Sequence, residues 1–443
     1  MVYENFSIAN TVMLWSTFGI AFIMGAVVNK TNWCTMGAVS DLVNIGDTGR
    51  WRSWLFAMVV AIVGVLILEK MGIINLHSTR PPYRSPNFEW IRYILGGLLF
   101  GIGMTMGSGC GNKTLIRIGG GNIKSIFVLA VMGTFAYYMI FPLGDRSIDE
   151  AVFYPWTSAV AVSLPAHQDI GSLVNLAAKD TSKVDLRLWI GGGLSLLMLI
   201  YIFKSKDFFG KFDNILGGLV VGLAVVAMWF MTGSAKVKAY NSFDEKTVVV
   251  SMADYIKKWD DFQVGKDERT DKTDPPAVKP YQSNRVVGPQ AMTFVSPSAW
   301  MYNFVSTPFD KNAKFNANLN VPVMLLLGVI FGSLFWSLVS RTFRIEWFAS
   351  WGDFFTHLLG GTLMGIGGVM ALGCTIGQGV TGVSTLSVGS FIAMISIVIG
   401  SALTMKFKLY RMVYEDAGFF SVLSTSLADL RLLPKGFKKL EAI

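Results

Sequence analysis

Three cysteines, Cys34, Cys110 and Cys374, are the side chains of this chain best suited to specific chemistry. They are too few and too far apart in sequence to form a disulfide framework. Only three scattered histidines accompany them, so the spacing does not predict a metal site. A neutral thiol is a weak hydrogen-bond donor and a polarizable acceptor, which suits a soft sulfur anion better than a hard one. Reversible formation of a persulfide is the alternative chemistry.

Two of the cysteines end copies of one glycine-rich repeat. Leu95–Cys110 reads LGGLLFGIGMTMGSGC and Leu359–Cys374 reads LGGTLMGIGGVMALGC, at a constant offset of 264 residues without a gap. So many glycines weaken a helix, and a broken helix at membrane depth is tolerated where it is buried or lines a cavity. The repeat therefore predicts two related broken segments, which serve either tight packing alone or packing together with a permeation site. Cys34 has no counterpart in the second half of the sequence.

Small and polar residues flank the repeated cysteines, and we predict that they bind the substrate. Thr375 and Gln378 offer uncharged donors after Cys374, whereas Asn112 and Lys113 follow Cys110. Because the sequence contains no nucleophile triad and no phosphate-binding loop, we predict no catalytic residue and no resident cofactor or metal. The predicted substrate-binding residues are Cys34, Cys110, Cys374, Gly109, Gly373, Thr375, Gln378, Asn112 and Lys113.

Long uncharged stretches are the elements that must position these residues. Of the 443 residues, 52% are apolar and 15% are charged, whereas a soluble domain carries about 25% charged residues. A helix crosses the hydrocarbon layer of a bilayer with about 20 apolar residues. The stretches predict an all-α polytopic membrane protein with about nine membrane helices, at 11–28, 53–69, 93–111, 123–142, 188–204, 214–233, 320–339, 354–373 and 387–406.

The predicted helices fall into two halves with the same internal order, and two polar inserts interrupt them. An odd number of crossings makes the second half an inverted copy of the first, with the two Gly-Cys segments as broken helices at the centre. Segments that re-entered the membrane without spanning it would make the repeats parallel. The predicted parts are the first membrane repeat (1–142), a polar insert (143–187), a linking helix (188–213), the start of the second repeat (214–235), a second polar insert (236–314), the rest of the second repeat (315–410) and a tail (411–443).

Lysines and arginines cluster in the loops that this topology brings to one side, as expected of cytoplasmic loops. The C-terminal tail is then cytoplasmic, and both inserts lie on the periplasmic side. The inserts are either passive additions or a lid or docking surface for a partner. The net charge of +9 does not indicate nucleic-acid binding, because no basic stripe interleaves with aromatic residues.

Three motifs around the cysteines resemble the signatures of the YeeE/YedE sulfur-transport family. The resemblance covers the membrane segments, roughly 11–142 and 214–406, and skips both inserts. The motifs are Asn32-Trp33-Cys34-Thr35-Met36-Gly37-Ala38-Val39-Ser40-Asp41, then Gly109-Cys110-Gly111-Asn112 with Ile116-Arg117-Ile118-Gly119-Gly120-Gly121-Asn122, and the most specific, Gly373-Cys374-Thr375-Ile376-Gly377-Gln378-Gly379-Val380-Thr381-Gly382.

The resemblance implies a bacterial inner-membrane transporter that takes up thiosulfate or a related sulfur species. It also implies an inverted-repeat, hourglass-like helical fold in which Cys34, Cys110 and Cys374 relay the substrate. Some members of the family work with a small sulfur-carrier protein on the cytoplasmic side. We therefore expect a transporter of a sulfur oxyanion through a constriction lined by three thiols. A membrane-embedded persulfide-transfer enzyme and a membrane subunit that scaffolds a complex are the alternatives, and sulfite, persulfide and a selenium analogue stay open as substrates.

Overall fold

The computed structural model describes residues 1–143, 145–178, 186–241, 246–257, 288–306 and 319–441. Eight stretches in this part of the chain contain helices long and apolar enough to cross a membrane, which confirms the polytopic all-α prediction. Their main helices are α1 (Phe6–Thr31), α3 (Gly49–Lys70), α4 (Trp90–Met106), α6 (Ile123–Ile140), α9 (Leu186–Phe203), α11 (Phe212–Ser234), α14 (Val321–Val339) and α16 (Val388–Val413). The predicted crossing at 354–373 forms α15 (Trp351–Met370), whose 20 residues reach about 30 Å, although it is not among the eight.

Shorter elements connect these helices. Among the described residues they are α2 (Thr35–Ser40), α5 (Gly111–Gly119), α7 (Tyr154–Ala159), α8 (Ile170–Ala178), α10 (Lys206–Phe209), α12 (Met252–Lys257), α13 (Val295–Ser306) and α17 (Phe419–Asp429). Wider π-helical turns cover Asp41–Ile45, Asp149–Phe153 and Gly377–Gly382. Short strands pair outside the membrane helices in the orders β1-β4-β5 and β2-β3, where β1 is Val2–Tyr3, β2 Asn87–Phe88, β3 Val162–Ser163, β4 Lys236–Asn241 and β5 Lys246–Ser251.

The two repeat helices α4 and α15 pack against each other in opposite directions. A Cβ atom at Gly96 would lie 2.7 Å from the carbonyl oxygen of Gly367, and one at Gly103 would lie 2.7 Å from that of Gly360. The repeat relates Gly96 to Gly360 and Gly103 to Gly367, so the two contacts exchange with each other. This is the contact pattern of a two-fold axis that lies in the membrane plane, as an inverted repeat requires.

The outer helices of the two repeats also pack against each other in pairs of equivalent contacts. Helix α4 packs on α16 at Gly97 and Gly101, and their counterparts Gly361 and Gly365 pack α15 on α6. In the same way α1 packs on α14, and α11 packs on α3. Each repeat therefore buries its helices mainly against the other repeat, and small residues permit the close backbone approach.

The helix directions define two ends of the bundle. The end formed by residues 30–32, 41–52, 113–124, 204–211 and 340–350 carries eleven lysines and arginines, and we call it the basic face. The opposite end, formed by 71–89, 145–178, 236–241, 246–257 and 288–306, contains the described parts of both predicted inserts, and we call it the insert face. Residues 179–185, 242–245, 258–287 and 307–318 of the predicted inserts and their flanks lie outside the described residues.

Two loops of the insert face hold the chain that follows Cys374. The buried guanidinium of Arg84 forms two hydrogen bonds with the Glu69 carboxylate, at 2.6 and 2.9 Å, and its Nε donates to the carbonyl oxygen of Thr385. The hydroxyl of Ser387 donates to the Tyr83 carbonyl oxygen at 2.6 Å. The His167 ring bonds the Arg84 carbonyl oxygen and stacks on His77 with 4.2 Å between ring centroids. Loops of the insert face therefore hold the chain after Cys374 in place.

The stacked histidines predict a loss of stability in acid. Partial burial, then the positive charges of His167, Arg84 and Arg187, lower the pKa of His77 below its usual value. The unfolded chain therefore binds a proton at His77 more readily than the folded protein does, so this contribution to stability is full above about pH 6.5 and is lost as the pH falls through the lowered pKa. We expect His77→Gln to reduce the difference in Tm between about pH 7.5 and about pH 5, measured in detergent. An unchanged difference in Tm would contradict this assignment.

Candidate functional site

All three cysteines stand two residues after a left-handed residue that ends a helix. The N–H of the intervening residue bonds the carbonyl oxygen five positions earlier, with N···O distances of 3.2, 2.9 and 2.8 Å for the three cysteines in chain order. This pairing satisfies carbonyl groups at the end of a helix. The left-handed residues are Asn32, Ser108 and Leu372, with φ of 48°, 57° and 58°.

Each cysteine also begins a new helical segment. The Gly37 N–H donates to the Cys34 sulfur at 3.4 Å, and the Gly377 N–H donates to the Cys374 sulfur at 3.3 Å. Cys110 occupies the corresponding position ahead of α5. A shared Cys-Thr-x-Gly pattern at 34–37 and 374–377 is the sequence signal of this likeness.

Cys110 is the centre of a buried cluster that joins the two repeats. The Thr35 hydroxyl donates to the Cys110 sulfur at 3.4 Å. Cys34 and Thr375 also lie near this sulfur. Cys34, Cys110 and Cys374 are 6%, 1% and 1% exposed. The first and third cysteine motifs therefore meet at the second cysteine, inside the bundle.

Cys374 faces a segment of the second insert. The Thr293 Oγ1 lies against Gly377, whose N–H donates to the Cys374 sulfur. The Tyr83 hydroxyl donates to the carbonyl oxygen of Gly377 at 2.8 Å, which anchors the turn after the cysteine. The sequence analysis did not predict Thr35, Thr293 or Tyr83 as site residues. Thr35 lies in the first cysteine motif, which was an available signal, whereas Thr293 and Tyr83 lie outside all three motifs.

Two cavities flank the cluster. One, of about 590 Å³, opens at the basic face and is lined by Asn32, Arg50 and Asn214. The other, of about 550 Å³, opens at the insert face and reaches Thr293 and Gly373, next to Cys374. Asn214 and Met228 of α11 line different cavities, and 14 residues of helix separate them by about 21 Å. The buried thiols therefore lie between two openings at opposite ends of the bundle.

Several buried polar atoms around the thiols have no hydrogen-bond partner within the described part of the chain. Both side-chain polar atoms of Asn112 are unpaired, although the residue is only 1% exposed. The hydroxyl oxygens of Thr293 and Thr375 and the Oε1 atom of Gln378 are unpaired as well. Because buried polar groups nearly always have partners, this group of unpaired atoms suits the binding of a polar ligand.

The other predicted site residues have mainly structural contacts. The Lys113 ammonium donates to Asn32 Oδ1 at 2.5 Å, so it lies between the cluster and the basic-face cavity. The Gln378 amide donates to the Ala371 carbonyl oxygen across the turn. Gly109 and Gly373 follow the left-handed residues and form part of the two turns. The earlier repeat glycines stay inside α4 and α15, so the helices break only at 107–110 and 371–376.

Comparison with known proteins gives a consistent set of relatives. Residues 30–266 and 278–403 match the sequence model of a family described as Sulphur transport. The thiosulfate transporter TsuA of Spirochaeta thermophila is 21% identical over 90% of this chain and 100% of the relative. The thiosulfate transporter TsuA of Escherichia coli is 23% identical over 85% of this chain and 90% of the relative. The probable transporter YedE of Salmonella typhimurium is 25% identical over 26% of this chain and 28% of its own length.

Proposed function

This chain belongs to the Sulphur transport family, and from that premise we propose that it carries thiosulfate across the bacterial inner membrane through a constriction lined by three thiols. Relatives that are named thiosulfate transporters and cover most of the chain support a small sulfur anion as the substrate. The observation that carries the proposal is the position of three buried cysteines between two cavities that open at opposite faces.

The proposed path runs from the insert-face cavity to Cys374, then past Thr375 to Cys110 and Cys34, and leaves through the basic-face cavity. This order follows the neighbours of the Cys110 sulfur, which lies near both Thr375 and Cys34. Lysines and arginines concentrate on the cytoplasmic side of membrane proteins, so the basic face is assigned to the cytoplasm. Transport in this direction is uptake.

The chemistry of the lining fits an anion that must enter and also leave. An anion without partners in a medium as apolar as hydrocarbon costs on the order of tens of kcal/mol. The unpaired amide of Asn112 and the hydroxyls of Thr293 and Thr375 supply donors that offset part of this cost. Thiols contribute weak, polarizable contacts for the terminal sulfur. A series of modest contacts releases its ligand more readily than one strong ionic clamp does.

Uptake of 35S-thiosulfate into proteoliposomes tests the proposal. We expect the purified protein to accumulate label at least several-fold above empty liposomes, and excess unlabelled thiosulfate to compete. Sulfite and selenite serve as competitors that define the substrate class. Liposomes that contain correctly inserted protein and show no uptake of thiosulfate or of these competitors would overturn the proposal.

The proximity of the Cys34 and Cys110 thiols favours persulfide transfer as a second candidate function. A thiolate would attack the outer sulfur of thiosulfate, the S–S bond would break, sulfite would leave, and the cysteine would keep a persulfide. A small sulfur-carrier protein on the cytoplasmic side could then accept that sulfur. Intact-mass spectrometry after exposure to thiosulfate distinguishes the candidates: a gain of one sulfur atom favours transfer, and an unchanged mass with uptake favours transport of the intact anion.

A further inference from the structure

Part of the second insert is buried inside the bundle. Ala291, Met292, Phe294 and Val295 are at most 5% exposed. A Cβ atom at Gly111, next to Cys110, would lie 3.0 Å from the Phe294 Cβ, and one at Gly368 would contact the Val295 side chain. The segment 290–295 therefore lies between the two Gly-Cys repeats, where it touches both of them.

Hydrogen bonds tie this segment to the membrane helices. The Thr381 hydroxyl, in the turn after Cys374, donates to the Met292 carbonyl oxygen at 2.7 Å. The Thr232 hydroxyl of α11 donates to the Gln290 carbonyl oxygen at 2.7 Å, and the Gln290 N–H returns to the same hydroxyl at 3.0 Å. These bonds give the segment a fixed position beside the Cys374 turn.

The two-fold relation between the repeats makes this segment the counterpart of the Cys34 segment. Each segment lies between the first and second helices of its repeat and leads into a short helix, α2 or α13. Helix α2 packs on α16, where Val39 meets Ala402, and α13 packs on α6, where Tyr302 meets Tyr137 at 5.0 Å between centroids. Helices α16 and α6 are themselves counterparts.

Thr293 lies one residue before Phe294, which directly precedes α13 as Cys34 directly precedes α2. Its Oγ1 lies against Gly377, where an added Cβ would be 2.5 Å from it, and the Gly377 N–H donates to the Cys374 sulfur. Thr293 is 7% exposed, lines the insert-face cavity, and its Oγ1 has no hydrogen-bond partner among the described residues. A buried hydroxyl without a partner, beside a thiol and at the end of a cavity, is poised to donate to a ligand.

We propose that Thr293 is a specificity-determining residue of the conduit, which receives the oxyanion from the insert-face cavity and presents it to Cys374. Thiosulfate has a hard oxygen end and a soft sulfur end. The Thr293 hydroxyl donates to an oxygen, and the Cys374 thiol contacts the terminal sulfur. The inference rests on the proposed transport function and extends it to a residue of the second insert, outside all three cysteine motifs.

The test is the kinetics of thiosulfate uptake by Thr293→Val, which keeps the side-chain shape and removes the hydroxyl. Loss of a hydrogen bond to a charged ligand is expected to raise KM about tenfold or more, with a smaller change in the maximal rate. Thr293→Ser keeps the donor and is expected to hold KM within about twofold of the unsubstituted protein. A purely structural role would affect both variants and would not produce this difference in KM.

Thr17→Val is the matched control, because Thr17 is a fully buried membrane threonine whose Oγ1 is also unpaired among the described residues. We expect it to leave KM unchanged. An unsubstituted protein that takes up no thiosulfate would reject the proposed function itself. An active protein whose Thr293→Val variant keeps its KM, or whose Thr293→Ser variant loses affinity as much as the valine variant, would reject the role of Thr293 alone. If Thr293→Val does not fold, the KM of Thr293→Ser and of Thr293→Ala decides the matter in the same way.

Discussion

Replacing Cys374 with alanine is expected to abolish thiosulfate uptake while the protein still folds and inserts. Cys374 is the first thiol beyond the insert-face cavity, because Gly373 and Thr293 line that cavity next to it. Without the Cys374 sulfur, the terminal sulfur of the substrate loses its first polarizable contact. The anion then enters the buried region with one partner fewer to offset the cost of burial. We expect uptake to fall to the level of empty liposomes.

Cys374→Ser is the informative companion variant. Serine can still accept the Gly377 N–H bond that the cysteine sulfur accepts at 3.3 Å, so the turn keeps its cap. If sulfur chemistry is what the path requires, serine will be nearly as inactive as alanine. The melting temperature and the elution volume of both variants in detergent report on folding. Normal uptake by Cys374→Ala would refute the relay of three thiols.

Valine at Gly103 is expected to prevent stable packing of the two repeats. A Cβ atom there would lie 2.7 Å from the Gly360 carbonyl oxygen and 2.8 Å from the Met364 nitrogen, and both are backbone atoms that cannot turn aside. Overpacking of this kind costs about 1–3 kcal/mol or more. We expect Tm to fall by about 5 °C or more and thiosulfate uptake to fall with it.

The two-fold relation supplies a second test and a control for this prediction. Gly367→Val should cause a loss of similar size, because a Cβ at Gly367 would lie 2.7 Å from the Gly96 carbonyl oxygen. Gly193→Val on α9 should leave Tm nearly unchanged, since no heavy atom lies within 4 Å of a Cβ there. Equal stability of the Gly103, Gly367 and Gly193 variants would contradict the packing described for α4 and α15.

The amino-acid sequence by itself determined the membrane helices, the repeat and the family. The thickness of the hydrocarbon layer fixes how many apolar residues a crossing needs, so local composition identifies a spanning helix without knowledge of its neighbours. The matched glycine-rich stretches and the motifs at Cys110 and Cys374 are likewise read along the chain. Nine predicted crossings favoured opposite directions for α4 and α15, but parallel repeats with re-entrant segments stayed open until the tertiary structure decided between the two arrangements.

Only the tertiary structure decided which residues surround the thiols. The proximity of Cys34 and Cys110, and the position of Thr293 beside Cys374, involve residues that are far apart in the chain. Such contacts depend on how closely the glycine faces of the repeats approach and on the return of the second insert into the bundle. Hydropathy describes the insert as polar because it averages over many residues, whereas the short segment 290–295 is buried by its neighbours. The segment that corresponds to the Cys34 segment therefore contains no cysteine, and no motif identifies it.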